Sequence, residues 1–114
     1  MDLVSSLNPG LLSLDTNNRK KRNRLEIAAD MLEAARNGAR KTRIMYGANL
    51  SYELLAQYLP VLIEKGLLED SDENGVYHIS GKGSSFLKEF KEFRKLRGLY
   101  EEKIVSLRKL LVVE

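Results

Sequence analysis

Apolar residues return at helical spacing in four stretches of the chain, and polar breaks separate them. In the first, Leu25, Ala28, Leu32 and Ala35 recur three or four positions apart, with Ile27 and Met31 beside them and Gly38 after the last turn. A shorter pattern from Thr42 to Ala48 puts Ile44, Met45 and Ala48 on one side, and the Thr42 hydroxyl is placed to cap it. The third restarts at Ser51 and carries Leu55, Leu59 and Leu62, flanked by Leu54, Tyr58 and Ile63, to Gly66, which tolerates left-handed backbone. Leu50 and Leu55 stand where the residue before a cap packs on the fourth helical residue. Pro60 lacks an N–H, removes the bond to the Ala56 carbonyl and predicts a bend.

Between the third and fourth patterns the period changes from helical to alternating. Leu67-Leu68-Glu69-Asp70 and Val76-Tyr77-His78-Ile79 flank Asn74-Gly75, the pair favoured in a two-residue type I′ turn. In that hairpin Tyr77 and Ile79 share a face with Leu68 and cover the helical core. The last pattern runs Phe86, Phe90, Phe93, Arg97, Tyr100, Ile104, Leu107 and Leu111, alternating steps of four and three. This is a heptad seam of about 26 residues, or roughly 40 Å of helix. Its first turns have the domain to pack on, and the rest has no partner in this chain. Phe90, Phe93, Arg97, Tyr100, Ile104, Leu107 and Leu111 are therefore expected to pair with the same helix of a second molecule. Arg97 on the seam is suited to fixing register, and Gly98 beside it costs roughly 1 kcal/mol and marks a place for a kink or break.

Two helical patterns joined by a tight polar break make a helix-turn-helix, and helix, helix, helix, hairpin is the winged-helix order. The outer face of the third helix carries Tyr52, Glu53, Ala56, Gln57, Pro60 and Glu64, where most base-reading residues of a DNA-binding domain would sit. Gln57 can offer a bidentate amide to adenine, and Ser51 and Tyr52 lie at the helix start, in position for a phosphate or base. Tyr46 and Tyr58 are assigned to the core.

Charge alters this picture. The net +3 of the 114 residues is unevenly distributed. Residues 1–18 are net −2, residues 19–43 net +6, residues 44–80 net −5 and residues 81–114 net +4. Basic groups flank the helix-turn-helix and are absent from its second helix. The run Arg19-Lys20-Lys21-Arg22-Asn23-Arg24 sets cations before a helix N-terminus, which opposes the helix dipole and calls for an anion such as phosphate. Phosphate contacts are expected from Arg19, Lys20, Lys21, Arg22, Arg24, Arg40, Lys41 and Arg43, and more weakly from Lys82. Arg40, Lys41 and Arg43 flank the start of the second helix, which itself attracts anions. The wing, with Glu69, Asp70, Asp72 and Glu73 and no basic residue, would be repelled by phosphate.

Composition narrows the function classes. There is no cysteine, so disulfides and thiolate metal sites are excluded, and the lone His78 is expected in solvent. No stretch approaches the roughly 20 apolar residues of a membrane span, and the start lacks a signal-peptide pattern, so a cytoplasmic protein is expected. Neither a phosphate loop nor a nucleophile-base grouping is present. No enzyme, cofactor, metal or small-molecule substrate is expected.

The string KTRIMYGANLSYELLAQYLPVLIEKGLLE, followed by an acidic turn, YHISGKGSSFLKEF and a heptad helix, resembles the archaeal winged helix-turn-helix family that includes the ten-kilodalton chromatin-associated DNA-binding proteins. The likeness runs from about Arg22 to Leu96. Lys41, Thr42, Ile44, Met45, Tyr46, Ala48, Asn49, Leu50, Ser51, Tyr52, Leu59, Gly66 and Leu67 carry it. Ser80-Gly81, where the family often has Thr-Glu, and Pro60 depart from it. The resemblance implies a homodimer through an antiparallel C-terminal coiled coil, and binding of double-stranded DNA as a transcriptional regulator or architectural protein.

The expected organisation is mostly α with a small β-hairpin. Residues 1–18 form a tail, or an arm whose leucines pack on a neighbouring subunit; residues 19–82 form the winged helix-turn-helix; residues 83–114 form the dimerisation helix. The competing reading is a protein-interaction module that docks through its acidic third helix and wing.

Overall fold

The structure, a computed structural model, describes residues 22–112. Helix α1 (Arg24–Ala34) leads through the two-residue strand β1 (Ala39–Arg40) into α2 (Lys41–Gly47) and α3 (Tyr52–Glu64). Strands β2 (Leu68–Glu69) and β3 (Val76–Ile79) form the wing, and α4 (Gly81–Leu111) completes the chain. The fold is a winged helix-turn-helix with a long C-terminal helix, as the periodicity predicts.

Local chemistry explains most of the boundaries. Asn23 and Glu26 form a reciprocal capping box at the start of α1, the Asn23 side chain accepting from the Glu26 amide at 2.8 Å. Ser51 caps α3 by accepting from the Leu54 amide at 3.2 Å, and Gly66 ends it at φ +78°. Helix α3 runs through Pro60 without a break, and both Pro60 and Ala56 lie on its exposed side. Ser80 begins α4: its hydroxyl oxygen accepts from the Gly83 amide at 3.0 Å, and its hydroxyl reaches the Gly66 and Leu67 carbonyls. One side chain thus joins the end of α3 to the start of α4.

The core lies between α1, α2, α3 and the sheet. Met31, Leu32, Ile44, Leu55 and Leu68 are its largest fully enclosed side chains, and Leu50, Leu59, Leu62 and Ala48 close around them. Tyr58, Tyr77 and Ile79 pack against that cluster, as expected.

Five local expectations are corrected. Leu25 is exposed, and Ala29 and Ile27 turn inward in its place, because the buried side of α1 is centred on Ala28, Met31 and Leu32. Thr42 lies inside α2; the cap position is Arg40, which supplies no side-chain bond. The sheet has three strands in the order β1-β3-β2, with Ala39 opposite Tyr77 and Arg40 opposite Val76 in addition to the hairpin pairs Leu68–Ile79 and Glu69–His78. The hairpin does not close as a two-residue type I′ turn, since only Gly75 has positive φ. Instead the Asp72 amide donates to the Val76 carbonyl, and the Asp72 carboxylate accepts from the amides of Asn74 and Val76 at 2.8 and 3.0 Å. Tyr46 is 78% exposed, because α2 buries only the Ile44 and Ala48 side.

Helix α4 is continuous through Arg97 and Gly98, so no break interrupts the seam. Its first half packs on α1. Phe90 is buried, with Phe86 stacked on it at 6.3 Å and Phe93 tilted beside it at 5.8 Å. Arg94 lies over Phe90 and approaches Asp30 at 4.0 Å; Arg97 lies over Phe93 and pairs with Glu26 at 3.8 Å. Beyond this contact Leu96, Leu99, Tyr100, Leu107, Leu110 and Leu111 are all more than half exposed.

Candidate nucleic-acid interface

The helix-turn-helix presents two kinds of surface. Around the start of α2, Arg40, Lys41 and Arg43 are exposed, and among the described residues none of them forms an ion pair. Beyond the turn, Tyr52 opens α3 with 65% of its surface exposed, and Gln57 stands exposed one and a half turns further along. The two surfaces meet: Lys41, Tyr52, Leu55, Ala56, Leu59 and Pro60 line a shallow depression of about 150 Å³. A basic residue of α2 and an aromatic residue of α3 thereby border one opening, a pairing of side chains able to contact a phosphate or the edge of a base. Ser51 is less available, since its hydroxyl oxygen already caps α3.

Arg43 also borders a second depression with Glu33, Ala34, Asn37, Gly38 and Gly47. There Arg36 donates to both carboxylate oxygens of Glu33, at 2.7 and 2.9 Å. That bond holds the Glu33 carboxyl below its ordinary pKa and the Arg36 guanidinium above its own.

Other basic residues behave differently. Arg24 is exposed in the first turn of α1. Arg22 turns inward: its guanidinium donates to the Asp30 carboxylate at 2.7 Å and to the carbonyls of Ala48 and Asn49, the latter at 2.8 Å. Lys82 donates to the Lys65 carbonyl at 2.6 Å, at the end of α3. Arg19, Lys20 and Lys21 lie outside the described residues. Tyr46, assigned to the core from its sequence, is an added surface aromatic; its offset of two from Ile44, roughly 200° around a helix, was the available signal.

The wing is acidic and exposed at Glu69, Asp70, Asp72 and Glu73. Bonds from the Val76 and Asn74 amides, with His78 at 3.4 Å, hold the Asp72 carboxyl below its ordinary pKa, so it stays anionic. No group of three or more His, Asp or Glu among the described residues could hold a metal ion, and none of their helices is long and apolar enough to cross a membrane.

A winged helix-turn-helix family profile matches residues 21–98, more than half of the chain. The chain belongs to the winged helix-turn-helix family. The crystal structure of Sso10a-2, a DNA-binding protein from Sulfolobus solfataricus, shares this fold with a TM-score of 0.76 and 29% sequence identity, over 82% of this chain and 100% of that one. Two uncharacterized proteins of Methanocaldococcus jannaschii are also similar. One is 32% identical over 84 residues, covering 73% of this chain and 38% of its own length; the other is 36% identical over 58 residues, covering 50% and 60%. The chain therefore matches less than two thirds of either curated relative. The winged helix-turn-helix family match ends at Gly98, close to where α4 leaves the domain.

Proposed function

We propose that this protein binds duplex DNA as a homodimer, mainly through phosphates, and acts as a transcriptional regulator or a chromatin-architectural protein. The observation that carries the reading is the cluster of exposed cations at Arg40, Lys41 and Arg43, without an ion pair among the described residues, beside the open face of α3, on a fold shared with a DNA-binding protein. Arg24 adds an exposed cation, and Arg19, Lys20 and Lys21, just before it in the sequence, remain candidates for phosphate contact. Tyr52 and Gln57 are the base-facing candidates. Phosphate supplies affinity here, and the paucity of cations on α3 argues for modest sequence discrimination.

Dimerisation is proposed through α4 beyond the domain. Tyr100, Ile104, Leu107 and Leu111 continue the line of Phe93, and Leu96, Leu99 and Leu110 widen it. Phe90 and Arg97 act within the chain, against α1. The apolar stripe is continuous with the domain core and matches a second copy of itself in the periodicity of a coiled coil.

A second reading has its own support in the exposed acids Glu53 and Glu64 on α3 and Glu69, Asp70, Asp72 and Glu73 on the wing, a surface suited to a basic protein partner. Fluorescence anisotropy with a labelled mixed-sequence duplex at low salt separates the two. Binding supports the DNA reading, and its absence leaves the protein-docking reading.

A further inference from the structure

Within the DNA-binding reading on which it rests, we infer that Arg22 is a positioning residue for α3, holding the helix-turn-helix turn from inside rather than meeting phosphate as the exposed cations of α2 would. The guanidinium bridges two elements distant in sequence. One terminal nitrogen donates to Asp30 Oδ2 of α1 at 2.7 Å and to the Ala48 carbonyl; the other donates to the Asn49 carbonyl at 2.8 Å. Those carbonyls belong to the end of α2 and the turn after it, where helix geometry leaves backbone acceptors without internal partners. Asn49 is also the one described non-glycine residue with positive φ, at +54°. The clamp therefore grips the turn at its conformationally least ordinary residue, two positions before the Ser51 cap that starts α3.

Asp30 is itself oriented. Its other oxygen, Oδ1, lies 4.0 Å from Arg94 of α4, and its side chain and that of Arg22 are only about 30% exposed. A phosphate would have to displace one carboxylate and two carbonyls to capture Arg22. Lysine cannot replace the fork, because a single ammonium cannot face three acceptors spread across two elements as a planar guanidinium does.

The experiment measures duplex binding by the full-length protein against salt for the wild type, Arg22→Lys, Arg22→Gln, Asp30→Asn and the double variant Arg22→Gln/Asp30→Asn, each first checked for native circular dichroism. Positioning predicts that Arg22→Lys and Asp30→Asn both weaken binding roughly tenfold. It also predicts that the slope of log K against log salt is unchanged and that the double variant is no worse than Arg22→Gln. Asp30→Asn is the most telling arm, since it makes the protein more positive and yet should bind less. A phosphate contact predicts the reverse: Arg22→Lys near wild type, Asp30→Asn unchanged or tighter, and Arg22→Gln reducing the slope by about 0.9. That pattern overturns the inference. If the wild type binds no DNA, the DNA reading fails by itself, and amide exchange at Asn49, Leu50 and Ser51 then decides the clamp. Faster exchange in Arg22→Lys and Asp30→Asn supports it, and unchanged exchange overturns it.

Discussion

Two glycines of one helix should respond to alanine with opposite signs. Gly→Ala in a helix interior normally stabilises by up to about 1 kcal/mol, through backbone entropy and propensity. At Gly98 a Cβ would meet nothing within 4 Å, and the position lies five residues beyond Phe93, about 140° from the apolar seam. Gly98→Ala should therefore realise nearly that whole gain. At Gly83 a Cβ would fall inside the contact distance of the Leu67 carbonyl oxygen and 2.7 Å from Ile79 Cγ1. Leu67 cannot yield cheaply, because its carbonyl accepts from the Ser80 amide at 3.1 Å and from the Ser80 hydroxyl at 3.0 Å. Overpacking costs about 1–3 kcal/mol and each weakened hydrogen bond about 1 kcal/mol. After subtracting the propensity gain, Gly83→Ala should lose about 2 kcal/mol. At roughly 4 °C per kcal/mol for a chain of this size, Tm should fall by about 8 °C for Gly83→Ala and rise by about 4 °C for Gly98→Ala. Thermal melts by circular dichroism at one fixed protein concentration measure both, since dimer stability depends on concentration. A Gly83→Ala protein as stable as wild type would refute the close packing of α4 on the wing exit.

Two further outcomes follow from the same structure. Light scattering of the wild type should report twice the 13.0 kDa chain mass, and Leu107→Glu/Leu111→Glu should return it to one chain with the domain still folded; a wild-type monomer at micromolar concentration would contradict the seam. Because the Asp72 carboxyl is held below its ordinary value by the Val76 and Asn74 amides, its contribution to the wing is full above the unfolded aspartate pKa and lost as pH falls through the folded one. The amides of Asn74 and Val76 should thus lose protection only in acid, and Asp72→Ala should remove that pH dependence when exchange is followed by NMR.

What could be read from the chain was what neighbours in sequence decide. Ser51, Gly66 and the Leu50–Leu55 staple announce α3 because a cap, a left-handed stop and a turn-spaced pair are all local. The heptads of α4 needed only their own spacing. The misreadings share a different cause. Strand β1 is two residues long and exists only through its pairing with Val76 and Tyr77, which no local pattern reveals. The Asn74-Gly75 pair suggested a type I′ turn, but the Asp72 carboxylate captured the amides of Asn74 and Val76 and lengthened the loop. Within the basic run, Arg22 is indistinguishable from its neighbours by charge; its acceptors at Ala48 and Asn49 lie 26 and 27 residues away. Tyr46 is different, since its angle from Ile44, roughly 200° around the helix, points it to solvent on spacing alone.

The salt dependence of duplex binding by the wild type and by Arg40→Ala/Lys41→Ala/Arg43→Ala tests the DNA interface most directly. Phosphate contacts by these cations predict a steep fall of log K with log salt in the wild type, and a slope shallower by about 0.9 for each phosphate contact removed in the variant. Lys65→Ala, at the far end of α3, should leave the slope unchanged. A flat dependence in the wild type, or a triple variant that matches it, would contradict the claim that the cations beside α2 hold the DNA backbone.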